Sequence, residues 1–154
     1  DAKRFIDCAG IESPGIASCP AIGEMVAQIV RDKMKLEEKN NFISTRKGIR
    51  RPADLSKEER NELIRKEPAY GSIVCRCEMI TEGEIIDAVR RPLGAKSLDG
   101  IKRRTRAGMG RCQSGFCSPR VMEILARERD VSMFDITKSG GKSQIVVGIN
   151  KDAL

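Results

Sequence analysis

The chain contains no histidine and no tryptophan, and tyrosine occurs once in its 154 residues. Without histidine, the side chain best suited to proton transfer near neutral pH is missing. The sequence also shows no paired carboxylates that would mark a pocket, so we do not expect acid–base catalysis by this chain alone. Because aromatic residues make up only 3% of the composition, a hydrophobic core must be built from Ile, Val, Leu and Met.

Long apolar runs are absent as well. No run approaches the roughly 20 residues that a membrane-spanning helix needs, and the first residues lack the charged-then-apolar pattern of a signal sequence. We therefore expect a cytoplasmic protein with no transmembrane segment. No Gly-x-Gly-x-x-Gly follows a strand-like run, so a site for the ADP half of a dinucleotide is not expected here. The chain begins at Asp1 and soon enters an apolar run, which indicates a fragment or a processed product.

Cysteine is well represented. Four of the six cysteines form two tight pairs, Cys75-Arg-Cys77 and Cys112-Gln-Ser-Gly-Phe-Cys117. Because histidine is absent, the pairs together offer four thiolates and no other soft ligand. A tetrathiolate set suits either zinc or an iron–sulfur cluster.

The spacing of the paired cysteines favours some of their possible roles over others. Structural zinc sites usually place their cysteines about two to four residues apart, so a Cys-x-Cys pair is tight for zinc. A cluster is favoured over zinc, and zinc over cysteines without metal; a disulfide framework is weaker still in a reducing cytoplasm. The two remaining cysteines, Cys8 and Cys19, are predicted to be small buried hydrophobic residues.

The surroundings of the paired cysteines suit an anionic centre. Arg76, Arg111 and Arg120 flank them in sequence, and the glycines of residues 108–117 leave backbone N–H groups open to sulfur. Cys117 is predicted at the N-terminal end of a helix. There the unpaired N–H groups and the helix dipole are expected to lower the pKa of the thiol.

The formal charge of +7 raises the alternative of a nucleic-acid partner. Acidic and basic residues are mixed along most of the basic stretches, as on solvated helix faces. Residues 82–106 have the look of a helix-turn-helix, which keeps a zinc-binding structural, DNA-binding or protein-interaction module as the alternative function. Aromatic platforms and a recognition motif are lacking, so nucleic acid is not the expected partner. The one dense basic cluster consists of Lys102, Arg103, Arg104 and Arg106.

The predicted fold is mostly α with small β elements. Residues 1–39 are predicted to form a buried strand at 4–9, a loop at 10–15 and a helix near 20–38, with Pro20 in its first turn. These three elements make half of an α/β unit, and a lone strand leaves its backbone edges unpaired. We therefore expect another part of the protein to cover it.

The rest of the chain is predicted to have three parts. Residues 40–72 are an ordered linker with a helix at about 56–65, which a capping box of Ser56 and Glu59 begins. Residues 73–134 form a compact helical domain with cysteines on its loops, and residues 135–154 form a hairpin. The features predicted in these last two parts are a helix begun by a second capping box of Thr81 and Glu84 and stopped by Pro92, a helix at 97–106, a helix from Ser118 or Pro119 to Arg129, and a tight turn at Gly140-Gly141.

Three stretches resemble the bacterioferritin-associated ferredoxin-like [2Fe–2S] domain: residues 70–78 (Tyr-Gly-Ser-Ile-Val-Cys-Arg-Cys-Glu), 81–84 (Thr-Glu-Gly-Glu) and 110–117 (Gly-Arg-Cys-Gln-Ser-Gly-Phe-Cys). The family pattern is Cys-x-Cys, about thirty residues, then Cys-x4-Cys; here 34 residues separate the two pairs. The resemblance implies a [2Fe–2S] cluster, which zinc could replace where the cluster has been lost. The implied ligands are Cys75, Cys77, Cys112 and Cys117.

Residues 5–24 (Phe-Ile-Asp-Cys-Ala-Gly-Ile-Glu-Ser-Pro-Gly-Ile-Ala-Ser-Cys-Pro-Ala-Ile-Gly-Glu) are similar to the last strand, flavin-side loop and helix of a family of FAD-dependent oxidoreductases. Its members are related to enzymes that oxidise glycerol 3-phosphate and 2-hydroxyglutarate. Clostridial-type and anaerobic glycerol-3-phosphate dehydrogenases carry the same cysteine-rich domain at their C-terminus, so the chain resembles the C-terminal part of such a flavoenzyme. The residues implied to lie beside FAD are Gly10, Ile11, Ser13 and Gly15.

The resemblance implies an electron-transfer module of a flavin-dependent dehydrogenase. Electrons are expected to pass from FAD through the cluster to an acceptor protein or subunit, and an acceptor complex would allow a membrane-peripheral location. The expected partners are the N-terminal FAD-binding portion of the same polypeptide and that acceptor. Glycerol 3-phosphate is the favoured substrate of the parent enzyme, ahead of 2-hydroxy acids and of amino or opine substrates.

Overall fold

The computed structural model describes residues 5–150 of the chain. They divide into two compact units, with the boundary between Arg46 and Lys47. The described part is mostly helical with a small antiparallel sheet, so the predicted fold class is confirmed. Its helices and strands are α1 (Gly15–Lys33), α2 (Lys57–Lys66), β1 (Ile73–Cys75), β2 (Ile80–Thr81), α3 (Glu82–Arg90), α4 (Leu98–Thr105) and α5 (Ser118–Arg129), with 3₁₀ turns at Pro52–Asp54, Pro68–Gly71 and Met133–Asp135.

The first unit is built around α1, which begins earlier than the sequence predicts. Gly15 starts the helix because its N–H donates to the Glu12 carbonyl over 2.9 Å and closes the first turn. Pro20 therefore lies inside the helix, and its prediction as a first-turn residue is wrong. No side chain of α1 is buried, and Met25, on its apolar face, is 67% exposed. The apolar face of α1 is thus incompletely covered in this unit, since Ile22, Val26, Ile29 and Val30 are half-buried.

Two predictions for the first unit are not met. Residue 4 lies outside the described residues, and residues 5–9 are coil rather than a buried strand. A strand needs a hydrogen-bonded neighbour, and the one sheet of the described chain contains only β1 and β2. Cys8 and Cys19 are exposed rather than buried, because no layer of the described unit covers them.

The second unit has one aliphatic core, as the low aromatic content predicts. Helices α4 and α5 both pack against α3, and the most buried side chains come from these helices and from the segments that follow them. Two of the paired cysteines, Cys75 and Cys117, belong to the same core. The aliphatic side chains with essentially no exposed surface are Ile80, Ile85, Ala88, Ile101, Ile124, Leu125 and Ile136.

Both predicted capping boxes form. The Ser56 N–H donates to the Glu59 carboxylate over 2.9 Å, and the Thr81 N–H donates to Glu84 over 2.8 Å. Each cap satisfies N–H groups that the first helical turn leaves without a partner. The helices of this unit begin and end within about one residue of the predicted positions because caps and Pro92 mark their ends.

The β1–β2 hairpin was not predicted at residues 73–81. Ile73 pairs with Thr81 and Cys75 with Ile80 across an irregular register. Met79 takes a positive φ of 53° so that the chain can turn between the strands. Cys75 therefore lies at the end of a strand rather than on a loop. Strands of three and two residues are too short to show an alternating pattern in the sequence.

The predicted C-terminal hairpin forms only at its turn. Gly140 and Gly141 take positive φ angles of 102° and 57°, as predicted for the tight turn. One isolated antiparallel bridge, between Thr137 and Gln144, closes it, and residues 151–154 lie outside the described part of the chain. Across residues 5–150, no helix has both the length and the apolar character required to span a bilayer.

We predict that Gly94→Ala destabilises the second unit. A Cβ at Gly94 would collide with the Val89 carbonyl oxygen, a backbone atom that cannot move without disturbing the corner between α3 and α4. Overpacking of this kind costs about 1–3 kcal/mol. Urea unfolding followed by circular dichroism measures the loss.

Gly48→Ala is the matched control, because a Cβ there meets nothing within 4 Å. Both substitutions lower the conformational entropy of the unfolded chain by similar amounts. The difference between the free energies of unfolding of the two variants therefore measures the effect of the collision. Equal free energies of unfolding for both would contradict the close approach at Gly94.

Candidate metal centre

The second unit brings its four cysteines to a single cavity. The cavity has a volume of about 450 Å³. Its lining contains no carboxylate, so the thiols and one guanidinium are the polar groups most able to bind a ligand there. The lining residues are Val74, Cys75, Arg76, Cys77, Cys112, Phe116 and Cys117.

Each cysteine is placed by a different local feature. Cys75 ends β1, and Cys77 follows in the turn between the strands. Cys112 lies on the loop between α4 and α5, and Cys117 is the N-cap residue of α5. The β-hairpin therefore supplies one pair, while a loop and the helix start supply the other.

Glycine allows the two pairs to approach. A Cβ at Gly110 would collide with the Cβ of Cys77, so the backbone of the 108–117 loop lies directly against the hairpin turn. Within the loop, Gln113 and Ser114 both take positive φ angles, 47° and 74°. The Gly115 N–H donates to the Cys112 carbonyl over 2.9 Å and tightens the bend.

The four thiols differ in exposure. Cys75 and Cys117 are 1% and 4% exposed, and both belong to the aliphatic core. Cys77 is exposed and Cys112 is half-buried. The site thus has an inner pair (Cys75 and Cys117) and an outer pair (Cys77 and Cys112).

The environment shifts two of the thiol pKa values in opposite directions. The backbone N–H of Phe116 and then the Cys77 thiol lower the pKa of Cys112. Burial and then the neighbouring Cys75 thiol raise the pKa of Cys117 to about 11. The expected lowering at Cys117 is therefore wrong. The start of α5 does carry this residue, but removal from water outweighs the helix terminus.

The three flanking arginines have different surroundings. Arg76 lines the cavity, and Arg111 is exposed beside Cys112 in the chain. Arg120 binds carboxylates instead, donating to Glu82 over 3.1 Å and to Glu123 over 2.8 Å. It therefore holds α5 against the start of α3 and does not line the cavity.

Glu82 is a structural residue of the site that the sequence analysis missed. It is 9% exposed and accepts from Arg120 and, over 2.8 Å, from Arg127. Burial alone would raise the pKa of Glu82, but the hydrogen bonds from the two arginines hold that pKa below its usual value. The seven-residue spacing of these arginines, which places them on one face of α5, was the available signal.

The guanidinium groups of the basic cluster also contact groups within the protein. Arg106 donates to Glu78 over 2.7 Å. Arg104 donates to the carbonyls of Gly100 and Leu93 over 3.0 and 2.8 Å. These guanidinium groups therefore stabilise the ends and connections of α4.

The donor set fits a sulfur-bound metal centre. The cavity presents four thiols and no carboxylate. Four thiolates hold a [2Fe–2S] cluster, and four cysteines also make one class of structural zinc site.

The residues predicted to lie beside FAD belong to the first unit. Gly10, Ile11 and Ser13 are exposed and precede α1, and Gly10 has a φ of 76°. Gly15 is the first residue of α1. Their role toward a flavin remains a prediction.

Comparison with known proteins finds one matching family of domains. Residues 73–127 match a family described as the BFD-like [2Fe-2S] binding domain. The predicted resemblance to this family is therefore confirmed over residues 73–127. No solved structure matches the chain.

Several larger proteins are also similar to the chain. The chain is 53% identical to glycerol 3-phosphate dehydrogenase of Caloramator mitchellensis over 152 residues, which are 98% of this chain and 32% of that protein. A subunit of the anaerobic glycerol-3-phosphate dehydrogenase of Escherichia coli K12 is 38% identical over 61% of this chain and 14% of its own length. A subunit of opine oxidase from Rhizobium meliloti is 46% identical over 42% of this chain and 12% of its own length.

The chain thus spans about a third or less of these curated relatives. Their names confirm the predicted resemblance to glycerol-3-phosphate dehydrogenases.

We predict that Gly110→Ala weakens metal binding. The added Cβ would push Cys77 away from Cys112 and open the outer pair. Mutation of a residue that positions a metal ligand typically lowers metal affinity about 10- to 100-fold. Iron bound per chain after anaerobic reconstitution with limiting iron and sulfide checks this, with Gly148→Ala as the control because its Cβ meets nothing within 4 Å. Equal iron content in both variants would contradict the close packing.

We also predict unequal reactivity of the metal-free thiols. The pKa of Cys112 is lowered from 9.0, whereas that of Cys117 is raised to about 11. At pH 7 the reactive thiolate fraction of Cys117 is therefore at least about 100-fold smaller, and its burial slows alkylation further. Timed iodoacetamide labelling of the folded protein, followed by peptide mass spectrometry, measures both rates. Similar rates in the folded protein would contradict the different environments, while similar rates in urea are expected.

Proposed function

We propose that Cys75, Cys77, Cys112 and Cys117 hold a [2Fe–2S] cluster and that the chain is the electron-transfer module of a flavin-dependent dehydrogenase. One observation carries the proposal: four thiols from distant parts of the sequence line one cavity that contains no carboxylate. The cavity lies inside the domain whose family is defined by [2Fe–2S] binding.

The protein residues have distinct tasks around this site. Cys75 and Cys117 fix one side of it in the aliphatic core, where helix packing limits their movement. Cys77 and Cys112 bring the other side to the surface, where a partner can approach. Arg76 supplies positive charge to an anionic centre. When bound, a [2Fe–2S] cluster exchanges one electron at a time.

The parent enzyme is proposed to carry FAD. In this proposal the loop with Gly10, Ile11, Ser13 and Gly15 approaches the flavin, and the N-terminus of α1 stabilises negative charge on the reduced ring. The incompletely covered apolar face of α1, on which Met25 is exposed, supports a covering portion of the same polypeptide. The chain alone is then an electron carrier, and substrate oxidation takes place in that portion.

Glycerol 3-phosphate is the proposed substrate of the parent enzyme, since relatives with this name include one that matches 98% of the chain. The opine oxidase relative matches a shorter stretch, so opine or amino substrates come second. An acceptor protein or subunit receives the electrons in this proposal. A zinc module is the rival for the same cysteines, and the matched family gives it no support.

We predict that anaerobically purified protein contains two irons per chain, absorbs visible light and gives an electron paramagnetic resonance signal after reduction with dithionite. Serine at any of the four site cysteines should remove the chromophore because one thiolate of the set is lost. Cys8→Ser and Cys19→Ser are the matched controls and should retain it, since neither residue lines the cavity. A colourless, signal-free protein with stoichiometric zinc would refute the proposal.

A further inference from the structure

We propose that a second cavity of the second unit binds a small organic phosphate. The cavity has a volume of about 690 Å³. It lies between residues 47–50, the end of α2 with the turn that follows it, and one face of α3. Its described lining shares no residue with the cysteine cavity. The inference therefore goes beyond the proposed function and does not depend on a bound cluster.

Positive charge dominates this cavity. Its lining contains two carboxylates, and neither cancels the excess of cations. Asp87 is bound by Arg91 over 3.1 Å, and Glu67 is exposed, so water weakens its field. Lys66 is bound by Glu62 over 2.6 Å. The cationic residues of the lining are Lys47, Arg50, Lys66, Arg90 and Arg91.

Three of the cations retain donors that could bind a ligand. Neither Lys47 nor Arg50 takes part in a hydrogen bond or an ion pair within residues 5–150. Ile49, between them, packs against the aliphatic core and fixes this segment beside the cavity. Arg90 donates from Nε to Glu128 over 2.6 Å, which leaves its two terminal nitrogens available.

A buried phenol adds a further donor. Tyr70 is 5% exposed, and its ring lies directly against Gly83, where a Cβ would collide with it. The Tyr70 hydroxyl has no hydrogen-bond partner in the described part of the chain, although every buried polar side-chain atom there has one. The hydroxyl therefore reaches open space, which the cavity provides. Burial and then the charge of Asp87 raise the pKa of Tyr70, so this hydroxyl stays protonated and can donate.

The donors and the walls together define the class of ligand. Guanidinium and ammonium groups bind phosphate through charge-assisted hydrogen bonds. Pro68, Ala69 and Ile86 give the cavity apolar walls, and its size is within the roughly 300–1,000 Å³ of small-molecule sites. An organic phosphate meets both requirements, with its phosphate at Lys47 and Arg50 and its organic part against the apolar walls.

The chain has one tyrosine, so NMR can observe this cavity through a single residue. The full chain, labelled with tyrosine that carries carbon-13 at Cζ, gives one signal whose shift responds to hydrogen bonding of the hydroxyl. The probe is n-butyl phosphate, titrated at constant ionic strength, and n-butanol is the matched ligand without phosphate. We expect a saturable shift with butyl phosphate and none with butanol. No saturable shift with butyl phosphate, or an equal shift with butanol, would overturn the inference.

Matched charge variants test where the phosphate binds. Lys47→Gln and Arg50→Gln each remove one proposed donor from an exposed position, whereas Arg65→Gln removes a cation of α2 that does not line the cavity. We expect the dissociation constant of butyl phosphate to rise at least about tenfold in each of the first two variants, because a charged hydrogen bond is lost. Arg65→Gln should leave this constant unchanged. Equal dissociation constants in all three variants would contradict the site.

Tyr70→Phe tests the phenol separately. This variant keeps the ring against Gly83 and removes only the hydroxyl, which has no partner whose loss would disturb the fold. Titration calorimetry measures its binding, since the labelled residue is gone. We expect weaker binding of butyl phosphate than in the native chain, and unchanged binding would contradict the role of the hydroxyl as a donor.

Discussion

The burial of Cys75 and Cys117 in one aliphatic core is the constraint on which the site depends. Both thiols have almost no exposed surface, and they come from elements 42 positions apart in the sequence. Helix α5 can present Cys117 to Cys75 only while α5 packs on α3 and while β1 pairs with β2. The geometry of the site therefore follows from the packing of the whole second unit.

Glu82 and the capping box of α3 reinforce this arrangement. Strand β1 carries Cys75 and pairs with β2, which leads without a break into α3. Thr81 and Glu84 fix the start of α3, and Glu82 binds Arg120 and Arg127 of α5. Because Glu82 is largely buried, removal of one partner would leave a charge that the interior penalises. A chain of backbone and ionic contacts thus connects the two inner cysteines.

Much of the second unit could be predicted because its signals are local. Capping boxes at Ser56 and Thr81 mark the starts of α2 and α3, and Pro92 marks the end of α3. Each signal occupies only a few neighbouring residues, so it can be read from the sequence alone. The family resemblance of residues 70–78, 81–84 and 110–117 identified the four cysteines together. The burial of Cys75 and Cys117 and the exposure of Cys77 could not be predicted, because they depend on how the hairpin and the loop meet in space.

The failed predictions have the same physical origin. Residues 5–9, Cys8 and Cys19 were expected to be buried, but burial requires partners that the described unit does not supply. The pKa of Cys117 was inferred from its place at a helix start alone, whereas the surrounding core determines its direction. Local sequence rules thus specify where a residue lies on an element and do not specify how much water reaches it.

X-ray absorption at the iron and zinc edges of the anaerobically purified protein tests the central claim most directly. We expect iron surrounded by sulfur with a second iron as the next neighbour, because four thiols line one cavity within the stretch that matches a [2Fe–2S] binding family. A zinc edge with four sulfur neighbours, and no iron in the sample, would contradict it.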